Sequence, residues 1–514
     1  MKKIFTLIFG LVCFARVLCL SATYYVDPVN GDDSNPGTEA LAWRSLEKVS
    51  SATQQNDAIY LMDFAEDWGS SIYDWPENRI WYSKKIMQFE FAWVFDKYYR
   101  IGRFVNNDFW VADANTVNLI QIDPPSYMDA TVDPSRVRNG LMINPVHPRK
   151  QGFDSYAYNF DEETNFGMNI SPASPLAVQP GSSIISSKSH ETSNYGSFVQ
   201  SAAVLTVLSS VPPEKSFRPS YFGTDKTVRH NLTGLDSGKL ASLSREGISS
   251  VPKLKQENRI ESRTASVERM FERPWIDLIS GWTGRNIHPS SNMNEYGRDI
   301  SNAMGIGALM LHLDFPAEDK QRHLIRFTQL GLDLYGIVAG GSISHWSNAG
   351  GHCAGRKWPI LFAGIVLNDE EIKSISKKSG EYLYSPKPGG GNYGSGDLPP
   401  DYIRFQEDMQ TFYVSEKDIL PTPYITRTRG SVYQAGTVNV VQGSDIVEGN
   451  NTYWATLDRS NYNFFGIVDD DQAYDKYGKA YPLAEIISNT RLRLAEKYRA
   501  VSYTHLTLPT KRIV

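Results

Sequence analysis

The apolar residues of this chain follow one spacing up to about residue 240 and another after residue 267. In the first part, apolar and polar residues alternate over short stretches separated by turn residues, which is the pattern of half-buried strands. The stretches with this pattern are residues 87–95, 99–104, 109–112, 117–122 and, as a more apolar core strand, 202–208. Short strands of this kind favour an antiparallel sandwich. We therefore predict a β-rich, sandwich-like region over residues 86–241.

After residue 267 the apolar residues recur at helical spacing. This spacing predicts long helices over residues 299–313 and 320–338 and shorter ones over 356–366 and 369–378. Their apolar faces are broad, which is typical of helices packed on most sides, as in the inner ring of an α/α toroid. The predicted fold class is therefore α+β and multidomain: a β-rich, sandwich-like N-terminal region followed by an incomplete α/α toroid over residues 267–500.

The two ends of the chain have compositions of their own. Residues 1–22 place Lys2 and Lys3 before an apolar run and end in small residues, which predicts a secretory signal and a secreted or periplasmic protein without membrane insertion after its removal. Loss of this segment would leave Cys353 as the remaining cysteine, so no intrachain disulfide is expected. Residues 501–514 are predicted to be a non-native tail, with the natural protein continuing beyond about residue 500.

Three further segments complete the predicted organisation. Residues 23–85 begin with a strand and a dense turn cluster that resemble the start of secreted right-handed β-helix proteins, so we predict a β-helix-like segment or a cap there. Residues 242–266 are polar and mixed in charge and are predicted to be a linker. Residues 421–441 have β character, and residues 483–498 are predicted to be helical.

Polar segments that contain glycine precede two of the predicted helices. Residues 284–298 contain Arg285, Asn286, His288, Asn292, Asn294, Tyr296 and Arg298. Residues 340–359 contain His345, Trp346, Asn348, His352, Arg356 and Lys357. Because loops at one end of a helical toroid converge on its centre, we expect both segments to form one site.

Structural roles compete with this interpretation. His288 is followed by proline and is compatible with a plain turn, and Asn292 and Asn294 are suited to cap the following helix. Arg298 and Arg356 are equally suited to salt bridges with nearby acids. The density of polar residues in both segments is what favours a functional site.

Asparagine, histidine, tyrosine and arginine without an obvious carboxylate pair suit one reaction in particular. β-Elimination of a uronic acid requires a group that neutralises the substrate carboxylate and a base that removes the poorly acidic C5 proton. Asparagine and histidine are suited to the first role, and tyrosine or histidine to the second. Arginine binds further carboxylates in a bidentate manner.

A β-rich portion with long helices and this residue set resembles the secreted α/α-toroid polysaccharide lyases that cleave alginate, glucuronan and related polymers. The similarity is clearest over residues 285–367, and residues 350–364 are its most distinctive stretch. The order of the two parts departs from the family pattern. The resemblance implies Tyr296 as base and acid, with His288 or His352 and Asn292 at the carboxylate. It implies that Arg285, Arg298 and Arg356 bind flanking units of the polymer. The other candidates for substrate binding come from their place in the two polar segments: Asn286, His345, Trp346, Asn348 and Lys357.

Other functions stay open at this point. A glycoside hydrolase would take its acid and base from Glu295, Asp299 or Asp408, and a non-catalytic carbohydrate-binding protein would need neither. The spacing of His345, His352 and Cys353 matches no standard zinc pattern, so we expect no metal and no cofactor. The 52 Lys+Arg against 57 Asp+Glu residues give no basic excess, so we expect no nucleic acid, and an anionic polymer would need a local cationic site. The resemblance to the lyases implies an anionic polysaccharide as that partner.

Overall fold

The protein is described by a computed structural model that covers two compact units, Met1–Thr411 and Phe412–Val514. The residues described are 22–62, 78–194, 196–257, 262–343, 345–347, 349–375, 403, 405–407, 435–459, 464–465, 481–498 and 503–507. The fold is mixed α/β, with a large β sheet and several helices. In the described part of the chain, no helix combines the length and apolar character needed to cross a membrane. The predicted signal segment lies outside the described residues, apart from Ala22, and stays a prediction.

The first unit contains strands β1 to β12. Their bounds are β1 Thr23–Val26, β2 Ala58–Leu61, β3 Ile80–Gln88, β4 Phe91–Arg103, β5 Phe109–Ala112, β6 Val117–Asp123, β7 Tyr127–Asp129, β8 Arg136–Arg138, β9 Leu141–Ile143, β10 Leu176–Val178, β11 Ser182–Asn194 and β12 Ser197–Leu208. One sheet has the order β1-β2-β3-β4-β5-β12-β11-β9, with β6 beside β4 and β10 beside β6, while β7 and β8 form a separate pair.

The sheet is mixed, in contrast to the antiparallel arrangement that the sequence predicts. β1, β2 and β3 pair in parallel, as do β5 and β12, while the other pairs are antiparallel. The parallel register stacks Tyr25, Tyr60 and Tyr82, with ring centroids 5.1 and 4.7 Å apart, close to the spacing of neighbouring strands. The predicted boundary between residues 85 and 86 falls inside β3, and the sheet continues across it.

Both faces of the central strands are buried. Ile185 and Val204 pack into one apolar cluster with residues from the helices, whereas Ile184 and Leu205 pack into a second cluster on the opposite face. Successive side chains of a strand point to opposite faces, so a strand covered on both faces needs apolar residues at consecutive positions. This explains the nearly continuous apolar run at the end of β12.

The helices of the first unit follow the strands, apart from α1. Their bounds are α1 Leu46–Ala52, α2 Val267–Met270, α3 Gly297–Leu311, α4 Ala317–Ala339, α5 Lys357–Val366 and α6 Glu370–Lys373. The predicted helices at 299–313, 320–338 and 356–366 are confirmed as α3, α4 and α5. The predicted helix at 369–378 is shorter, since α6 ends at Lys373; residues 376–378 lie outside the described part.

The second unit holds strands in the order β15-β16-β17-β14-β13-β18. Their bounds are β13 Thr437–Val440, β14 Ile446–Asn450, β15 Phe464–Phe465, β16 Tyr481–Ser488, β17 Arg491–Leu494 and β18 Tyr503–Thr507. The predicted helix over 483–498 is wrong, because β16 and β17 form a hairpin there. Strand β18 lies within the predicted non-native tail and pairs with β13.

Candidate functional site

The two polar segments that the sequence singled out meet in space. The rings of Tyr296 and His352 are in contact, with centroids 4.5 Å apart and planes at 73°. The Tyr296 hydroxyl donates a hydrogen bond to the carbonyl of Gly350 at 3.1 Å. A Cβ at Gly297 would lie 1.9 Å from the carbonyl oxygen of Gly351, so the absence of a side chain permits this approach. The segments 284–298 and 340–359 therefore converge as expected.

A buried carboxylate that sequence reasoning missed holds these segments together. Asp277 accepts hydrogen bonds from the His288 Nε2, the Trp346 Nε1 and the Arg356 Nε at 2.9, 2.9 and 2.8 Å. Its backbone carbonyl is 2.8 Å from the His345 Nε2. We call these five residues the Asp277 cluster. Arg356 extends it by donating to the carbonyls of His352 and Ala354 at 2.9 and 2.7 Å.

The sequence around Asp277 carries a signal that would have identified it. The carboxylate stands alone in the apolar run Trp275-Ile-Asp-Leu-Ile279, and its four neighbours in that run are buried with it. A buried charge needs partners, so an isolated acid in such a run predicts a cation elsewhere in the chain. Burial alone would raise the pKa of Asp277, but Arg356 and His288 outweigh it and hold that pKa well below its usual value.

Six of the predicted site residues are buried, and their bonds give them positioning roles. They are His288, Asn292, Asn286, His345, Trp346 and Arg356. Asn292 donates to the carbonyl of Arg273 at 3.0 Å, so it does not cap α3, and Trp346 is 1% exposed. Their bonds position the loops that carry the other predicted residues, and contact of these six side chains with substrate stays a prediction.

The remaining predicted residues reach the surface to different degrees. Tyr296, His352 and Arg285 are half-buried, and so is Lys357. The Arg298 side chain is 75% exposed, pairs with Asp299 at 3.2 Å and lies over the Tyr296 ring at 5.7 Å. Asn348 and Asp408 lie outside the described residues.

Several buried polar atoms in the two segments have no hydrogen-bond partner among the described residues. They are the Arg285 Nε, the Asn286 Oδ1, the Glu295 Oε2, the His345 Nδ1 and the His352 Nδ1. Buried polar groups are normally satisfied by protein, water or ligand. These five atoms are therefore available to water or to a polar ligand.

The surroundings of Tyr296 shift the pKa values of His352 and Glu295 in opposite directions. Burial lowers the pKa of His352 from its ordinary value, and the nearby Arg285, Arg356 and His288 lower it further, which favours the neutral imidazole at neutral pH. Burial also raises the pKa of Glu295, although Arg285 opposes this effect. The arrangement offers a neutral imidazole as proton acceptor, a phenol as proton carrier and a guanidinium for a carboxylate.

A separate cavity of about 440 Å³ lies between residues 217–230 and the C-terminal half of α4. The carboxylates that line it already have partners. Asp225 pairs with Arg229, Asp369 pairs with His230, and Glu371 accepts a hydrogen bond from Tyr335. Five of the buried atoms without a partner among the described residues belong instead to the segments 284–298 and 340–359. We therefore locate the candidate site at these two segments and not in this cavity.

Among the described residues, no three His, Cys, Asp or Glu side chains are grouped to hold a metal ion. Cys353 is buried, and burial raises the pKa of its thiol to about 11. Comparison of the chain with protein-family profiles, with curated proteins and with solved structures finds no match.

Proposed function

We propose that this protein is a secreted polysaccharide lyase, built on an incomplete α/α toroid, that cleaves a uronic-acid-containing polysaccharide by β-elimination. The observation that supports it most is the contact between Tyr296 and His352, which come from distant parts of the chain and meet beside Arg285. Elimination needs a proton carrier and a carboxylate-binding cation within reach of one sugar ring. These three side chains provide that combination.

In the proposed reaction, Arg285 binds the carboxylate of the sugar unit to be attacked, which makes its C5 proton more acidic. The neutral imidazole of His352 accepts the phenolic proton of Tyr296, and the phenolate removes the C5 proton. The C4–O bond then breaks as the C4=C5 double bond forms. The departing oxygen takes the proton from the Tyr296 hydroxyl, so the same residue serves as base and acid.

The test is the ultraviolet absorbance of the unsaturated product during incubation with alginate, glucuronan and glycosaminoglycans. Tyr296→Phe keeps the ring contact with His352 but removes the hydroxyl, and we expect it to lower turnover at least about 100-fold while polymer binding survives. Tyr335→Phe is the matched control, because its hydroxyl bonds Glu371 at the separate cavity. Undiminished turnover in Tyr296→Phe would eliminate this residue as the base.

A glycoside hydrolase is the second candidate, and Glu295 is the observation that favours it. Its Oε2 is buried without a partner among the described residues, and burial raises its pKa, as a proton donor requires. Hydrolysis would release reducing ends without the ultraviolet signal. A non-catalytic binding protein would retard the polymer in an affinity gel and release neither product.

A further inference from the structure

Arg285 and Glu295 approach the same point of the β11–β12 hairpin. A Cβ added to Gly196 would lie 3.0 Å from the Arg285 Nη1 and 3.1 Å from the Glu295 Oε2. The Asn286 Nδ2 donates to the carbonyl of Gly196 at 2.6 Å, which ties the hairpin to the segment that carries both charges. The sheet therefore forms one wall beside the guanidinium and the carboxylate.

Each of the two charged side chains has a hydrogen-bonding atom that is not used by the described residues. The Arg285 Nε is a donor and the Glu295 Oε2 an acceptor, and both are buried without a partner among the described residues. A simple anion would satisfy Arg285 but would be repelled by Glu295. A neutral sugar would leave the guanidinium without its carboxylate, so the ligand that satisfies both carries an anionic acceptor and a hydroxyl donor close together.

An exposed aromatic edge lies beside this pair. Trp282 is 44% exposed and Tyr158 is 54% exposed, and their ring centroids are 5.3 Å apart. The Arg285 guanidinium lies 5.4 Å from the Trp282 centroid. Aromatic rings with one polar neighbour suit ligands that are apolar on one face and polar at the edge, which describes a pyranose ring.

We propose that Arg285, Glu295 and the Tyr158–Trp282 edge form a subsite for a single uronic acid unit, in which Glu295 is a specificity-determining residue. Arg285 binds the carboxylate of the sugar, Glu295 bonds a free hydroxyl of the same ring, and the aromatic edge supports the ring face. The subsite therefore rejects units in which that hydroxyl is acetylated. This inference rests on the proposed function for its substrate class and for the carboxylate that Arg285 binds, and it adds the recognition of a free hydroxyl by Glu295.

The experiment measures binding by calorimetry with three probes: a glucuronan tetrasaccharide, its O-acetylated form and cellotetraose. The Tyr296→Phe background prevents turnover. We expect the free tetrasaccharide to bind at least about tenfold more tightly than the other two. Glu295→Gln should weaken binding of the free form about tenfold and remove the discrimination against the acetylated form. Glu318→Gln, an exposed carboxylate in the first turn of α4, is the matched control and should change neither.

The outcomes separate the two proposals. If the native protein neither cleaves nor binds any polyuronate, both fail. If it cleaves polyuronates and Glu295→Gln keeps the full discrimination, only the subsite assignment fails. A loss of reducing-end release of at least about 1,000-fold in Glu295→Gln, with binding unchanged, would make Glu295 an acid catalyst and would also overturn the assignment. Equal unfolding midpoints of the variants establish that they are folded.

Discussion

At the residue scale, Asp277 connects the interior of the protein to its candidate site. One carboxylate bonds the His288, Trp346 and Arg356 side chains, which belong to the two segments that carry Tyr296 and His352. Asp277 and Arg356 are each 2% exposed, so neither charge is stabilised by solvent. The Asp277 cluster thereby helps to determine where the side chains of Tyr296 and His352 lie.

Asp277→Asn is expected to destabilise the fold by about 3–5 kcal/mol, because it leaves the buried Arg356 guanidinium without a counter-charge while keeping the side-chain shape. Urea unfolding at neutral pH measures this change. Asp299→Asn is the matched control, since its ion pair with the exposed Arg298 is worth under about 1 kcal/mol. Equal losses in both variants would contradict the structural role of the cluster.

The candidate site could be predicted from the sequence only in part. The position of two polar segments before helices predicted that they meet, and the contact between Tyr296 and His352 confirms this. The pattern did not distinguish side chains that reach the surface from those that hold the loops, because that depends on partners far along the chain. Asp277 lies 79 positions from Arg356, and no local sequence pattern indicates that these two residues are in contact.

At the element scale, α4 and α5 pack closely through a glycine. A Cβ at Gly331 would lie 2.1 Å from the carbonyl oxygen of Pro359 and 2.6 Å from the Ala363 Cβ. These distances are far below van der Waals contact, and one of the clashing atoms belongs to the backbone of α5. Any side chain at this position therefore separates the two helices.

Gly331→Ala is expected to destabilise the protein by at least about 2 kcal/mol, although alanine is the better helix former. Gly305→Ala on α3 is the matched control, since a Cβ there meets no atom within 4 Å. The control should stabilise the protein by about 0.5–1 kcal/mol. Thermal unfolding of both variants measures the two effects, and a stabilised Gly331→Ala would show that the helices do not pack as described.

The helices could be predicted better than the strands for a physical reason. The apolar spacing over 23 residues of α4 has no other explanation than a helix. In contrast, residues 87–95 span the end of β3, a turn at Phe89 and Glu90, and the start of β4, yet apolar residues continue through the turn. Over 483–498, the apolar residues do not alternate strictly, and β16 and β17 pair there with register shifts.

At the scale of the whole molecule, the large sheet and the helices of the first unit share one core. Ile185, Val199 and Val204 of the sheet belong to the same apolar cluster as Phe271 and Phe327 of the helical part. The mixed pairing of the sheet could not be predicted, since strand order depends on contacts between distant residues. That shared core also encloses titratable groups, which makes the stability of the protein depend on pH.

His323 of α4 is the clearest case. It is fully buried between Phe271 and Phe327, and its Nε2 lies 2.8 Å from the Gly307 carbonyl oxygen. Burial lowers the pKa of His323 from 6.5 to about 4. As the pH falls below 6.5, His323 therefore takes up a proton in the unfolded chain before it does so in the folded protein. The protein loses stability until the pH reaches the pKa of His323 in the folded protein.

The loss attributable to this histidine is up to about 3 kcal/mol between its two pKa values. His323→Gln keeps a donor for Gly307 but does not titrate, so its free energy of unfolding should fall less steeply with acid than that of the native protein. Urea unfolding at about pH 8 gives the cost of the substitution itself, and a series toward about pH 4 gives the difference in slope. Parallel curves for the two proteins would mean that His323 is protonated in the fold as readily as in the unfolded chain, which its complete burial next to two phenylalanines argues against.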